Sequence, residues 1–368
     1  MKKKILILGT GNAQVDAINL CRRIGAEVHG CSYRAGDPGE ALLDAFVKLD
    51  IRDTSGVQMY VEQNNMDLVY SVGSDIAMPT AMAVSEALGL PHFVSAETAR
   101  ICNQKHVMRQ SLSGIRGNLP FMTVQDQEEL ESVNFFPCMV KPVDAQGQRG
   151  CAMVNDKAQL AGCFQNAQEH SFSKKVIIEK YVDGPEISVN IYVVDGELAF
   201  FLVSDRITFS HLPGGIIKEH HLPSHFASPT AVRNIEALVC NVTKRLKIQN
   251  GPAYFQIKLE KDEPYLLEVT PRLDGCHMWN LITRYCGNDL LANSFLHLLF
   301  QEKPLNFQMM HNLESKKLVF LCEEPGKIFS RERYKIPENE YLCWYYQTGD
   351  TVRKLNGYME KCGYYICR

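Results

Sequence analysis

A chain of 368 residues is long enough for two or three domains with substantial cores. Its formal net charge of −3 gives no bias towards nucleic acid or an anionic membrane surface, and no apolar run approaches the length of a membrane span. Thirteen scattered cysteines form no C-x-x-C pair and no zinc-type His/Cys cluster, and nothing behind Met1-Lys2-Lys3-Lys4 resembles a signal peptide, so a reduced, cytoplasmic setting with most thiols in the core is expected.

Lys4 to Leu8 is a continuous apolar run that predicts a buried strand, and Gly9-Thr10-Gly11-Asn12 predicts a tight turn into a helix from about Ala13 to Ile24. This is a Rossmann-like start, but Gln14 stands where a dinucleotide fingerprint has its third glycine. An NAD-dependent oxidoreductase built on it would leave the later motifs without a role. Strands at Val28–Ser32, Ala45–Leu49 and Leu68–Ser71, with helices near Ser55–Asn64 and Pro79–Leu88, imply a parallel, doubly wound sheet. Ser74 and Asp75 lie just beyond its fourth strand, where such sheets bind ligands and where helix caps also sit.

Helices are expected from Ser95 and from Asn103, the second carrying Lys105 and ending near Gly114. Phe135 to Val140 predicts a strand running into Lys141, followed by the polar, glycine-containing stretch Val143 to Gly150. A strand-end lysine beside such a loop can hold phosphate, although a surface lysine next to a flexible loop has the same sequence. Strands Glu186–Val194 and Glu197–Val203 flank Asp195-Gly196, a type I′ hairpin signal that marks a change to antiparallel pairing. Residues Ser210 to Ser228, with His211, His220, His221 and His225, two prolines and Gly214-Gly215, are expected to form a solvent-facing loop or substrate cover rather than a zinc site. Pro229 to Leu246 is an amphipathic helix.

Gly251 to Gly275 predicts a hairpin turning at Lys261-Asp262-Glu263-Pro264. Centred on Asp262, it sets Phe255 opposite Val269 and Leu259 opposite Tyr265 on one face, and Gln256 opposite Glu268 on the other, with Thr270 two residues on and Arg272 beyond. Oxygen ligands beside a guanidinium suit a phosphate bridged by a hard cation. Trp279 to Phe300 is expected to be largely helical, and from about Leu305 the chain becomes β-rich, with strands at Lys317–Leu321 and Tyr341–Tyr346.

The order of these pieces, Lys105, Lys141 before its loop, E-K-Y-V-D-G-P-E from Glu179 to Glu186, then F-Q and L-L-E-V-T-P-R up to Arg272, resembles the ATP-grasp superfamily over about residues 1 to 300. The Glu179 segment is similar to the hinge of D-alanine:D-alanine ligase. The N-terminal part and the hairpin look like the carbamoyl-phosphate synthetase large subunit and biotin carboxylase, and the pyrrolysine-biosynthesis ligase is another relative in appearance. The resemblance implies a mixed α/β and α+β fold: a Rossmann-like N-terminal parallel sheet (1–95), an ATP-grasp two-lobed nucleotide fold with linker helices and small lid lobe (96–185) and a large lobe with the metal site (186–304), and a small β-rich accessory C-terminal domain (305–368).

The resemblance further implies ATP with Mg2+, or Mn2+, as cofactors. Lys105 and Lys141 would contact phosphates under the loop that carries Gly147 and Gly150. Glu179, Lys180, Tyr181 and Val182 would line the adenine, and Glu186 would hold the ribose hydroxyls. Gln256, Glu268 and Thr270 would ligate metal, with Arg272 and Lys141 acting on the transferred phosphoryl group. Thr270 stands where the superfamily usually has asparagine, which leaves one metal or two open. Ser74, Arg206, Lys218, His220, Asp274 and His277 are candidates on the substrate side. The implied activity is an ATP-dependent ligase that turns a small carboxylate into an acylphosphate and couples it to an amine, of amino-acid or peptide ligase type. Carbamoyl-phosphate-synthetase-like use of bicarbonate and a non-catalytic nucleotide-binding regulator are the alternatives. Partners are small molecules, with no nucleic acid and no membrane, and a homodimer is allowed.

Overall fold

A computed structural model of the chain describes residues 2–144, 150–212, 215–304, 307, 313–354 and 358–368. The first sheet is parallel, in the order β3 (Ala45–Lys48), β2 (Glu27–Ser32), β1 (Lys4–Leu8), β4 (Leu68–Tyr70). Its strands β1 and β4 are apolar runs covered by helices among α1 (Asn12–Arg23), α2 (Thr54–Asn64) and α3 (Ala77–Leu88), and Ile5 to Leu8 are fully buried. The side chain of Gln14 donates to the Val72 carbonyl and fills the space beside Gly9 and Gly11 that a third glycine would leave open.

Two short helices, α4 (Ala96–Asn103), capped by the Ser95 hydroxyl on Thr98 N–H, and α5 (Lys105–Ser111), lead into a small antiparallel sheet. That sheet, in the order β5 (Phe121–Val124), β8 (Val176–Lys180), β6 (Cys138–Pro142), β7 (Ala152–Val154), packs with α6 (Lys157–Glu169) around a core of its own that includes Val140, Leu160, Phe164 and Ile178. The strand expected from Phe135 begins only at Cys138.

The third sheet has eight antiparallel strands: β13 (Glu263–Thr270), β12 (Gly251–Glu260), β9 (Glu186–Val194), β10 (Glu197–Thr208), β11 (Ile217–Leu222), β14 (Lys316–Glu323), β16 (Glu360–Cys367) and β15 (Tyr341–Trp344). The β9–β10 turn is of the expected type, with Asp195 and Gly196 at φ 51° and 85°. Helices α7 (Pro229–Arg245), α8 (Met278–Cys286) and α9 (Leu290–Phe300) complete the lobe; the stretch expected to be largely helical is divided at Gly287-Asn288-Asp289, where Gly287 takes φ 78° and Asp289 caps α9.

Two expectations are corrected here. Residues 217–222 are a strand, not loop, because β11 is paired on both sides, with β10 and β14. The hairpin keeps Phe255 opposite Val269 and Gln256 opposite Glu268, but Leu259 faces Pro264 and Lys258 faces Tyr265, because a bulge at Leu267 shifts the register. Leu266 therefore enters the core and Leu267 turns to the other face. The β-rich C-terminal segment builds onto the large lobe: β14 to β16 continue its sheet and share its core, while Phe329, Tyr346, Val352 and Cys362 form a small cluster beside it.

Glycine is required at one hinge. Gly184, at φ 150°, precedes β9, and a Cβ there would lie 1.8 Å from the Leu259 carbonyl oxygen, so only glycine lets the segment after β8 pass the β12 backbone.

Candidate active site

The small and large sheets face each other across a cleft of about 730 Å³, within the roughly 300–1,000 Å³ of small-molecule sites. Strand β8 and the segment behind it supply Glu179, Lys180, Tyr181 and Val182 to the wall, α5 supplies Lys105, β6 supplies Lys141, and the large sheet supplies Glu186, Gln256 and Glu268. These nine residues, all singled out in the sequence, thus converge on one cavity from six elements, α5, β6, β8, β9, β12 and β13. Gly150 stands at the end of the loop after β6, at φ 71°, while Gly147 lies outside the described residues.

Lys141 is not a free surface lysine. Its ammonium lies 2.7 Å from one Glu179 oxygen, and Arg109 Nε lies 2.6 Å from the other. Arg109 is fully buried, and its other nitrogens donate to Asn118 Oδ1 at 3.2 Å and to the Leu267 carbonyl at 3.1 Å. The bulge that shifts the hairpin register thus presents a carbonyl to this guanidinium, tying the small sheet to the metal-type hairpin. Arg109 was missed in the sequence; its one local signal is its position one helical turn after Lys105.

Burial pushes the Glu179 carboxyl up, but Arg109 and Lys141 more than offset this and hold it at about 2, against an ordinary 4.5. A depressed carboxyl stabilises the fold above its ordinary value and loses that contribution as pH falls towards the folded value. Between about pH 4.5 and pH 2 this one group should remove on the order of 3 kcal/mol. Acid titration of wild type against Glu179→Gln checks it: the variant should show a shallower loss of stability across that window, and parallel curves would contradict the assignment.

On the large sheet the same face carries Glu186, Gln256, Glu268 and Thr270. Gln256 Nε2 donates to Glu186 at 2.9 Å, which leaves its amide oxygen as an acceptor, and Arg206 pairs with the same Glu186 carboxylate. Among the described residues the Glu268 carboxylate has no hydrogen bond or ion pair, and the buried Thr270 hydroxyl has no partner. A carboxylate, an amide oxygen and an orphaned hydroxyl on neighbouring strand positions are the donor set of a hard divalent cation, so these residues fit Mg2+.

Asp75 does not cap α3, whose N-cap is Ile76 without a side-chain bond; it pairs with the buried Arg272 and lines the cleft. The close approach of Gly73 and Gly275, where a Cβ on Gly73 would lie 2.9 Å from the Gly275 Cα, brings the first sheet to this corner. The remaining substrate-side candidates divide. Ser74 lies beside Asp75 in sequence. Lys218 is half-exposed and paired with Glu219 at 2.9 Å, and His277 is held by Asp16 at 3.0 Å and Tyr345 at 2.7 Å. His220 and Asp274 are buried, which removes His220 from any solvent-facing loop, while Arg206 is partly buried and paired with Glu186. Cys21, Cys31, Cys102, Cys138, Cys276 and Cys286 are buried thiols, and no helix among the described residues is long and apolar enough to cross a membrane.

Comparison with known proteins agrees with this geometry. Residues 134–279 match the family model described as ATP-grasp domain. The formate-dependent phosphoribosylglycinamide formyltransferase of Bordetella avium is 22% identical over 296 residues, covering 76% of this chain and 71% of that protein. The crystal structure of L-amino acid ligase from Bacillus licheniformis aligns at a TM-score of 0.81 and 17% identity, over 99% of this chain and 93% of that one. The biotin carboxylase domain of the Hydrogenobacter thermophilus 2-oxoglutarate carboxylase, solved with MgADP and bicarbonate, aligns at a TM-score of 0.79 and 13% identity, over 100% of this chain and 86% of that one.

Proposed function

We propose, from the premise that this chain is an ATP-grasp enzyme, that it is an ATP-dependent carboxylate–amine ligase acting on a small carboxylate and an amine, of amino-acid or peptide ligase type. ATP and Mg2+ are its cofactors. When bound, ATP would supply the phosphoryl group that turns the carboxylate into an acylphosphate for capture by the amine, with release of ADP and phosphate, and Mg2+ would neutralise the phosphate charge. Val182 and the backbone around Tyr181 offer an adenine slot, Glu186 a carboxylate for the ribose hydroxyls, and Lys105 and Lys141 the cations for phosphate oxygens. Glu268, Gln256 and Thr270 would hold the metal, and Arg272, released from Asp75, would face the developing charge on the transferred group.

The observation that carries this is the bare Glu268 carboxylate beside the orphaned Thr270 hydroxyl, at the end of a cleft that also holds Lys105 and Lys141. The site offers positioning and charge compensation, which suffices once the carboxylate is activated. A small soluble pair of substrates and a cytoplasmic setting complete the proposal. The test is ADP release with ATP, Mg2+ and pools of amino acids, with formate among the first carboxylates because the curated relatives are named for it. Release that needs both a carboxylate and an amine is expected. Tight nucleotide binding without turnover on any such pair would contradict it.

A further inference from the structure

The large sheet turns a second set of groups away from the cleft. Arg206 on β10 reaches Glu186 in the cleft, so the adjoining Asp205 and its cross-strand partner His221 on β11 project from the reverse face. Beyond Leu222 the chain turns back at Pro223 and lays His225 over β10, with its Nδ1 3.3 Å from Asp205 Oδ2. One ligand atom each of Asp205, His221 and His225 lies within 4.8 Å of the others. Residues 210–228 hold a single carboxylate, Glu219, which is why the sequence favours a loop over a zinc site there. β10 supplies a second from outside the stretch.

The surroundings of these three side chains are those of metal ligands. Glu219 Oε2 lies 2.8 Å from His221 Nε2, and a carboxylate only accepts, so Nε2 carries the proton and Nδ1 keeps its lone pair. A carboxylate on the far nitrogen is the usual partner of a metal-bound imidazole. Asp205 is fixed in turn, Oδ1 accepting from the Ser224 hydroxyl and the Phe226 N–H and Oδ2 from the His225 N–H at 2.9 Å, which leaves Oδ2 a lone pair for a further ligand. The 3.3 Å between His225 Nδ1 and Asp205 Oδ2 is also the edge of a tetrahedron built on bonds of about 2.0 Å. Asp205 is buried while the His225 side chain is 63% exposed, so an ion has a way in and an open coordination position.

Charge and donor type decide which ion. With neutral imidazoles the cluster has two carboxylates, Asp205 and Glu219, against one ammonium, Lys218, which holds the other Glu219 oxygen at 2.9 Å. It is therefore net negative. Two imidazoles and a carboxylate suit Zn2+ and its neighbours, whereas Mg2+ prefers oxygen donors and keeps its water. The one other group of this kind among the described residues, His220, Asp274 and Cys276, is buried beside Arg206 and Lys361, whose Nζ lies 3.4 Å from Cys276 Sγ, and those charges oppose a cation.

We propose that Asp205, His221 and His225 bind a divalent transition metal of the zinc class, with Glu219 as the residue that orients His221. The ion is structural: it pins the segment after β11 to β10 just ahead of α7, which packs on β10 and on β13, the strand of Glu268. It is independent of the ligase function.

Metal-free full-length wild type, His225→Ala and Glu219→Gln are titrated with Zn2+ against a chromophoric chelator in excess Mg2+, and thermal unfolding is followed with and without Zn2+. Wild type should bind one Zn2+ per chain, with affinity lowered about 10- to 100-fold in Glu219→Gln and further in His225→Ala. Zn2+ should raise the Tm of wild type and leave that of His225→Ala unchanged. His225 is exposed, so its variant should match metal-free wild type in circular dichroism; if it does not, Glu219→Gln alone decides. Co2+ in place of Zn2+ reads the donors, and a spectrum without thiolate charge transfer is expected. Equal Zn2+ binding by all three proteins, none by wild type, or a thiolate band that places the ion at Cys276 overturns the proposal.

Discussion

Glu268→Gln should lower kcat by about 10²- to 10³-fold, the order seen when a single group that stabilises transition-state charge is removed. The glutamine keeps the shape and one oxygen but not the charge, and Glu268 is the carboxylate of the metal-type hairpin with no partner among the described residues. Its strand position opposite Gln256 does not depend on its charge, so the fold should be undisturbed. ADP affinity without metal should be unchanged, while the gain in affinity on adding Mg2+ should shrink. Steady-state kinetics and calorimetry with and without Mg2+ separate these quantities. A variant with near-normal kcat would show that the hairpin is not the metal site.

Arg109→Met should cost about 3–5 kcal/mol of stability, because it leaves Glu179 buried with only Lys141 as its counter-charge. It also orphans the Leu267 carbonyl and Asn118 Oδ1, both of which accept from the guanidinium. The double variant Arg109→Met with Glu179→Gln should recover part of the loss, since the stranded charge disappears along with its partner. Denaturant unfolding of the two singles and the double gives the coupling directly. A loss under about 1 kcal/mol for Arg109→Met would mean that the triad is open to water and contributes little.

Much of this architecture is legible along the chain because it is written locally. The parallel sheet shows as continuous apolar runs, the β9–β10 turn as Asp195-Gly196, and the hairpin as alternation around Lys261-Asp262. The bulge has a local mark too: Leu266 and Leu267 are adjacent apolar residues that break the alternation, and one of them had to leave the core. What the sequence hides is set by distant partners. Glu179, which selects Arg109 over any surface arginine, is 70 residues away. β11 is polar at most positions and lies beside prolines, so nothing local shows that β10 and β14 bury His220 between them. Asp75 and Arg272 are 197 residues apart, and capping was the nearer explanation for the aspartate. Lys361 sits in a stretch whose chemistry appears only when β16 joins the large sheet and meets Cys276.

The account turns on the activation of a carboxylate by phosphoryl transfer, and trapping tests that step most directly. The enzyme is incubated with ATP, Mg2+ and hydroxylamine, and with small carboxylates in turn, formate and the amino acids first. The expected result is a hydroxamate formed in equal amount with ADP from one carboxylate or a narrow set of them, and lost in Glu268→Gln. ADP release that produces no hydroxamate from any carboxylate would contradict the account at its centre.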